Sequence, residues 1–421
     1  MMHSAKTMET PAPKVPTWAE SVGALFAKER FSQFFIATTT LGMALSFVIP
    51  FLALWGANEI GFTKSQLGLF TATTSIAGVG IATLLARLSD TRLSRKAVLM
   101  LGSGCGAAGY ASYAVVREPV FLVLFSLPLV AISSICFSQS FAAARDWFTP
   151  GGAERDAAVM TSFVRICFSL AWTVGPSLGA FFLARAGFEG LFTAAGALYL
   201  AFFLWAWRSV PSRLRMPEQT RAAASVPVWK TLRRPEVSGY CAASTLIFAA
   251  FAVNVLNLPL VVVHGLGGTV HDVGAIFSIG PLVEIPCMLL FGRLAAKGHT
   301  KNLLRCGAFV ASGYFLGLFF SQSVGQIFLV QGLNGVAHAI LANVAIVHLQ
   351  NLVPGQPGLA AALYSGSVSV GNLLGYGSYG ALSSWAGSQR TFLVCSGVAA
   401  VISVAFVFSW RQRNGNRRDS H

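Results

Sequence analysis

Long runs of apolar residues, rather than an alternation of apolar and polar positions, extend through the whole chain. Each run approaches the ~20 residues that an α-helix needs to cross about 30 Å of hydrocarbon. The pattern therefore predicts an all-α integral membrane protein of about twelve transmembrane helices. We place the spans at residues 32–54, 67–88, 97–116, 120–142, 158–184, 190–208, 238–262, 272–295, 303–321, 325–348, 359–384 and 391–410.

The longest polar stretch, Val210–Ser238, divides the predicted spans into six and six. The halves also echo each other, because Leu84–Leu88 closes the second span and the similar Leu290–Leu294 closes the eighth. Such pseudo-repeats are typical of membrane proteins in which two helical bundles face each other around a central path. We predict an N-terminal cytoplasmic tail (1–31), an N-terminal six-helix bundle (32–208), a cytoplasmic central linker (209–237), a C-terminal six-helix bundle (238–410) and a basic C-terminal tail (411–421).

The composition excludes a soluble globule. Of all residues, 54% are hydrophobic and only 11% are charged, whereas roughly 25% are charged in a soluble domain. The formal net charge of +15 is not concentrated in one patch, so we expect no nucleic-acid partner. Instead, 25 basic residues fall on one set of alternate loops and four on the other. The positive-inside rule then predicts a multi-pass protein of the cell inner membrane with both termini in the cytoplasm. The four basic residues on the opposite side are Lys64, Arg117, Arg185 and Arg390.

Glycine is frequent inside the predicted spans. Gly102 and Gly106 are four residues apart, as are Gly371 and Gly375, so each pair shares one helix face. Because glycine has no side chain, we predict that neighbouring helix backbones approach closely at both pairs. The seven cysteines lie within apolar spans without metal-ligand spacing. We interpret them as packing residues and expect no metal site.

A short charged loop, Arg87–Lys96, follows the second span. An acid followed by several bases can form charge pairs between helices that hold one conformation and break in another. The alternative is a purely topological signal, but positive-inside topology does not require the carboxylate of Asp90. We therefore predict that Asp90, Arg92 and Arg95 take part in conformational gating.

The fifth span contains the sequence Gly175-Pro176-Ser177-Leu178-Gly179. Proline removes a backbone hydrogen bond from a helix, and the glycines let a neighbouring helix approach. The segment therefore predicts a bendable, closely packed helix, and we add Gly175 and Pro176 to the gating residues.

Both motifs resemble elements of the major facilitator superfamily. The charged loop Arg87–Lys96 resembles its signature between the second and third helices, and the segment Gly175–Gly179 resembles an element of its exporters. A closer resemblance, clearest from Ala144 to Trp385, is to the sugar efflux transporter family within that superfamily. This resemblance implies the major facilitator fold and proton-linked export of small sugars or sugar analogues (glycosides). The segments that carry it are Thr161–Arg165 with its continuation to Trp172, Asn257–Leu260, Glu284–Pro286 and Leu352–Gln356.

Two charged residues, Glu284 and Arg165, lie deep inside predicted spans. A charge at that depth costs about 3 kcal/mol on insertion scales, so it must face a partner or a watery cavity. We predict that Glu284 carries the coupled proton or accepts a hydrogen bond from a sugar hydroxyl, and a fixed ion pair is the alternative. Arg165 either pairs with Glu284 across the two halves or donates a fork of hydrogen bonds to the sugar.

Uncharged polar residues recur along several predicted spans. Gln331, Asn334 and His338 follow the spacing i, i+3 and i+7 and therefore share one helix face. Amides and hydroxyls can bind neutral polyols, and an aromatic ring can lie against a sugar ring. The alternative for each of these groups is helix packing. The predicted substrate-binding residues are Arg165, Trp172, Asn254, Asn257, Asn334, Asn372 and Tyr376, and the predicted proton-coupling residues are Glu284 and His338.

Other function classes fit the sequence less well. A multidrug or metabolite exporter with the same fold and a non-sugar substrate is the alternative, although one buried acid offers little attraction for lipophilic cations. An enzyme would need clustered catalytic groups, whereas the seven histidines are scattered. No phosphate-cradling loop of an ATP-driven pump occurs. We therefore expect a monomer in membrane lipid whose partners are a sugar and protons, and which uses the proton gradient without any cofactor.

Overall fold

The computed structural model describes residues 30–91, 93–148, 154–211, 228–354 and 356–418. Within these ranges the chain is helical and contains no β-strand. Nine helices of the described residues are long and apolar enough to cross a membrane. The predicted all-α membrane architecture is therefore confirmed.

Two of these nine helical runs contain a sharp break at a glycine. Gly187 has φ 64° and ψ −169°, and Gly298 has φ 89° and ψ 5°. Glycine adopts such positive φ values without steric cost. Each break divides one run into two rods, at the positions where the sequence predicts a loop between spans. A further helix of 30 residues, Pro357–Ala386, lies outside the nine runs. The count of twelve membrane-spanning helices stays a prediction.

The N-terminal half consists of helices separated by short irregular turns. Pro50 lies in a 3₁₀ turn, Ile49–Phe51, that joins the first two helices. A π-helical segment, Leu122–Ser126, interrupts the fourth predicted span. The helices of this half are α1 (Phe31–Val48), α2 (Leu52–Asn58), α3 (Lys64–Thr91), α4 (Arg95–Val115), α5 (Pro119–Phe121), α6 (Leu127–Ser133), α7 (Ile135–Phe148) and α8 (Glu154–Ser209).

The C-terminal half begins inside the predicted linker, where a five-residue helix precedes the seventh predicted span. Its last helix continues to Arg418, into the segment predicted as a tail. The predicted N-terminal tail lies outside the described residues, apart from positions 30 and 31. The helices of this half are α9 (Val228–Leu232), α10 (Pro235–Leu260), α11 (Val270–Leu294), α12 (Thr300–Phe320), α13 (Val324–His338), α14 (Ala345–Leu352), α15 (Pro357–Ala386) and α16 (Ser388–Arg418).

Side-chain caps fix where several helices begin. The Ser94 hydroxyl accepts a 3.2 Å hydrogen bond from the backbone N–H of Ala97 at the start of α4. Thr269 and Asp272 form a reciprocal capping box at the start of α11. Such caps satisfy backbone N–H groups that the first helical turn leaves without an intrahelical partner.

The close approach of a neighbouring helix backbone is confirmed at Gly371 and Gly375, whereas Gly102 and Gly106 face side chains. A Cβ added at Gly371 would lie 2.6 Å from the carbonyl oxygen of Thr245, and Gly375 packs against the same helix, α10. Gly102 and Gly106 contact two different neighbours. A Cβ at Gly102 would lie 2.6 Å from a methyl carbon of Ile135, whereas Gly106 faces the ring of Tyr199. At Gly371 and Gly375 the absence of a side chain lets two helix backbones approach, whereas at Gly102 and Gly106 it makes room for side chains of neighbouring helices.

Candidate functional site

Within the described part of the chain, the two halves touch at the end of the bundle where α3 and α16 begin, which we call the closed end. There α3 packs against α15, and α8 packs against α11. Lys64 Nζ donates a 2.7 Å hydrogen bond to Ser388 Oγ, and the hydroxyls of Ser177 and Ser278 share a hydrogen bond of 2.9 Å. Both bonds join a residue of the N-terminal half to a residue of the C-terminal half.

Glycines allow this contact between the halves. A Cβ added at Gly68 would lie 2.5 Å from the carbonyl oxygen of Tyr376, and one added at Gly274 would lie 2.6 Å from that of Pro176. Real Cβ atoms do not approach a backbone oxygen so closely, and a side chain at either position would force the helices apart.

An arginine ties the loops of the N-terminal half together at the same end. The guanidinium of Arg117 lies 3.5 Å from a carboxylate oxygen of Glu59 and 3.5 Å from one of Glu189. It also donates a 3.0 Å hydrogen bond to the carbonyl oxygen of Tyr113. Arg117 therefore links three connections: the loop before α3, which contains Glu59; its own loop between α4 and α5; and the break at Gly187, which Glu189 follows.

Glu284 and Arg165, the two charges predicted within spans, do not form an ion pair with each other in the described part of the chain. Both side chains are half-buried. Tyr364 of α15 interacts electrostatically with both of them, and its ring packs edge-on against Phe248 at a centroid distance of 5.9 Å. The two charges therefore both interact with the phenol of Tyr364 but are not paired with each other.

A tight helix crossing brings Glu284 and His338 to the same level. A Cβ added at Gly335 of α13 would lie 2.6 Å from the carbonyl oxygen of Gly280 on α11. Glu284 lies one turn beyond Gly280 and His338 one turn beyond Gly335, and the two side chains interact electrostatically. The His338 ring packs against Phe251 at a centroid distance of 4.3 Å. The two predicted proton-coupling residues therefore lie on adjacent helices, each one turn from this crossing.

Four polar side chains from α10, α12 and α13 form a hydrogen-bonded chain inside the C-terminal half, which we call the amide relay. The Tyr314 hydroxyl accepts hydrogen bonds from Asn254 Nδ2 at 3.1 Å and from Gln331 Nε2 at 3.2 Å. Gln331 Oε1 in turn accepts a 3.1 Å hydrogen bond from Asn334 Nδ2. The carbonyl oxygens of Asn254 and Asn334 are buried without a hydrogen-bond partner. The predicted polar face of α13 thus continues into two neighbouring helices.

The remaining predicted substrate-binding residues lie in different surroundings. Asn257 is fully buried, and its Nδ2 donates a 2.8 Å hydrogen bond to the backbone oxygen of Ser388. Trp172, Asn372 and Tyr376 are half-buried. Asn257 therefore holds the start of α16 in this conformation, and ligand contact at all four residues stays a prediction.

The gating residues are only partly described. Arg92 and the side chain of Asp90 lie outside the described residues. Arg95 is buried and donates a 3.0 Å hydrogen bond to Gln139 of α7, within its own half. At Gly175 a side chain would overlap Ser46 of α1, and α8 stays helical through Pro176. The predicted close packing is confirmed, and gating by these residues stays a prediction.

Sequence reasoning missed Tyr314, Tyr364 and Gly274. Tyr314 lies in an apolar run whose neighbours are mostly phenylalanine and leucine, so nothing in the pattern marks its hydroxyl. Tyr364 directly precedes Ser365, on a span with regularly spaced polar residues, and this was an available signal. Among the described residues, no group of three or more His, Cys, Asp or Glu side chains is arranged to hold a metal ion.

Comparison with known families agrees with this architecture. The family model described as Major Facilitator Superfamily matches residues 34–270 and again residues 240–421. The two matches cover the two helical halves. The crystal structure of the nucleoside transporter NupG superimposes with a TM-score of 0.71 over 89% of this chain and 98% of that one, at 16% sequence identity. This likeness concerns the fold.

Curated relatives with closer sequences cover nearly the whole chain. A Deinococcus radiodurans protein of the sugar efflux transporter group is 31% identical over 370 residues, which is 86% of this chain and 94% of that protein. Sugar efflux transporter A of Dickeya chrysanthemi is 27% identical over 385 residues, which is 91% of this chain and 95% of that protein. The relatives are membrane transporters rather than enzymes.

Proposed function

The chain belongs to the major facilitator superfamily and, within it, to the sugar efflux transporters, and from this premise we propose that it exports small sugars or sugar analogues by proton antiport with alternating access. The relatives named for sugar efflux support the substrate class. The sugar binds between the halves, near Arg165 and Asn334, and the proton gradient supplies the energy without a cofactor.

The observation that carries the coupling proposal is the state of Glu284. It is a half-buried carboxylate within a membrane span, and it has no ion-pair partner among the described residues. A carboxylate in such a place can exchange a proton with a water-filled path, whereas an acid held in a fixed ion pair cannot do so readily. His338 of the adjacent helix interacts electrostatically with Glu284, and we propose that it shares the proton.

The closed end supports alternating access. This end carries Lys64 and Arg390, in the first turns of α3 and α16, and Arg117, in the loop after α4. All three belong to the small set of basic residues opposite the basic side of the chain. By the positive-inside rule this end faces away from the cytoplasm. We therefore propose twelve spans in the inner membrane with both termini in the cytoplasm. We propose further that the transporter acts as a monomer and that this conformation is the one closed to the outside.

The test is uptake of a radiolabelled sugar into inverted membrane vesicles, with and without an imposed proton gradient. Lactose, glucose and a thiogalactoside form the first panel, and wild type is compared with Glu284→Gln. The amide is nearly isosteric with the acid but cannot release a proton. We expect gradient-driven accumulation in wild type, and in Glu284→Gln only equilibration of the sugar down its own gradient.

Two outcomes would contradict different parts of the proposal. Gradient-driven accumulation that survives in Glu284→Gln would remove Glu284 from coupling. If vesicles containing folded protein accumulate no sugar, the substrate class is wrong. A panel of drugs and metabolites then tests the alternative, an exporter of the same fold with a non-sugar substrate.

A further inference from the structure

The amide relay has a direction, which its hydrogen bonds define. Tyr314 accepts from Gln331 Nε2 at 3.2 Å, so the oxygen of Gln331 turns toward α13, where it accepts from Asn334 Nδ2 at 3.1 Å. An amide has its N–H groups and its oxygen on opposite sides. The carbonyl oxygen of Asn334 is therefore directed away from the relay, as an acceptor.

That last oxygen has no hydrogen-bond partner, although it is buried. The Asn334 side chain as a whole is half-buried. It lies at the crossing of α11 and α13, where a Cβ added at Gly280 would be 3.1 Å from Asn334 Nδ2, and Gly280 is one turn from Glu284. Leaving a buried acceptor unpaired is costly, and buried polar groups in proteins almost always find a partner. A donor that reaches this oxygen would supply the missing bond.

We propose that Tyr314 is a positioning residue that fixes the orientation of the relay, and that Asn334 accepts a hydrogen bond from a hydroxyl of the transported sugar. This inference rests on the proposed function and specifies the group that is recognised. Tyr314 is fully buried on α12 and does not touch the substrate. Without the Tyr314 hydroxyl, the amide of Gln331 is free to rotate, and the amide of Asn334 can then rotate as well. Rotation of the Asn334 amide puts its Nδ2, a donor, where its carbonyl oxygen, an acceptor, was.

The chemistry gives a test that separates donor from acceptor recognition. Replacing one sugar hydroxyl by hydrogen removes both a donor and an acceptor, whereas replacing it by fluorine removes only the donor. At the sugar position whose hydroxyl donates to Asn334, the deoxy and the deoxyfluoro analogues both lose this hydrogen bond. Arg165 carries only donors, so a hydroxyl that meets Arg165 tolerates fluorine better than hydrogen.

The experiment measures KM and kcat for one transported sugar and its deoxy and deoxyfluoro series in wild type, Tyr314→Phe and Tyr379→Phe. Tyr379 is a matched control, because it is equally buried and does not belong to the amide relay. We expect one position at which both analogues raise KM about tenfold in wild type with little change in kcat. This penalty persists in Tyr379→Phe and falls to about twofold or less in Tyr314→Phe.

Several results would overturn the proposal. One is a wild type in which every deoxyfluoro analogue has the KM of the parent sugar, because no hydroxyl then acts as a donor. This measurement stands even if Tyr314→Phe does not fold. Another is an equal penalty in wild type and Tyr314→Phe. A wild type that transports no sugar would overturn the proposed function and this inference together. A wild type that transports the sugar with the same KM whichever hydroxyl is replaced would overturn only this inference.

Discussion

Lys64, at the start of α3, donates a 2.7 Å hydrogen bond to the hydroxyl of Ser388, at the start of α16. The bond joins the two halves at the closed end, where Asn257 also holds the backbone of Ser388. A hydrogen bond that forms in only one conformation shifts the equilibrium between conformations by its own free energy. The pair therefore stabilises the closed state.

The first prediction is that Lys64→Met increases the population of molecules in which the closed end is parted. One hydrogen bond contributes about 0.5–1.5 kcal/mol, so we expect this population to rise roughly two- to tenfold. The measurement is the distance between spin labels placed on the two halves at this end. Arg390→Met is the control, because Arg390 is an exposed cation two residues from Ser388. An unchanged distance distribution in Lys64→Met would contradict the prediction.

The second prediction concerns Gly274, where α11 meets α8. A Cβ there would lie 2.6 Å from the carbonyl oxygen of Pro176 and 2.7 Å from the Cβ of Ala180. Gly274→Val should prevent closure and reduce sugar export at least about tenfold, a loss equivalent to about 1.4 kcal/mol in the transport barrier. Labelling of a single engineered cysteine at the closed end should become faster.

Gly292→Val on the same helix is the matched control, since a Cβ there meets nothing within 4 Å. It should export sugar at close to the wild-type rate. Equal export by the two variants would show that contact at Gly274 is not needed for the cycle.

The third prediction concerns stability within the C-terminal half. Gly335→Ala places a methyl group 2.6 Å from the carbonyl oxygen of Gly280 and 2.7 Å from the Cβ of Val283. Overpacking of this kind costs about 1–3 kcal/mol. The melting temperature in detergent should fall. Gly332→Ala on the same helix has open space and should leave it unchanged or raise it, because alanine favours a helix over glycine by about 1 kcal/mol. A lower melting temperature for Gly332→Ala than for Gly335→Ala would contradict this.

The fourth prediction is that Arg165→Lys and Arg165→Ala both weaken sugar transport. Lysine keeps the charge but loses the planar fork of donors, so we expect KM to rise about tenfold for lysine and more for alanine. The measurement is sugar uptake in inverted vesicles. Arg185→Lys is the control on the same helix, where the guanidinium of Arg185 lies 4.8 Å from the centre of the exposed Phe181 ring. Full transport by both Arg165 variants would exclude a role for this residue.

The sequence by itself determined the features that depend on local order along the chain. Apolar run length predicts membrane helices, since hydrocarbon thickness sets the length that a span needs. Helical periodicity places Gln331 and Asn334 on one face, and the structure confirms their contact with a 3.1 Å hydrogen bond. The same periodicity and the missing side chains predict the close approach of Gly371 and Gly375 to a neighbouring helix, which the structure confirms.

Only the tertiary structure decided which helices meet and at what depth. The sequence left open whether Arg165 pairs with Glu284, and in the structure the two are not paired. Tyr314 joins Asn254, which is 60 residues away, to Gln331, which is 17 residues away. No pattern along one helix contains such partners, because the packing of three helices sets their distance. Helix packing likewise forms the closed end. Lys64 and Ser388 are 324 residues apart, and they meet because α3 packs against α15 with glycines at the crossing.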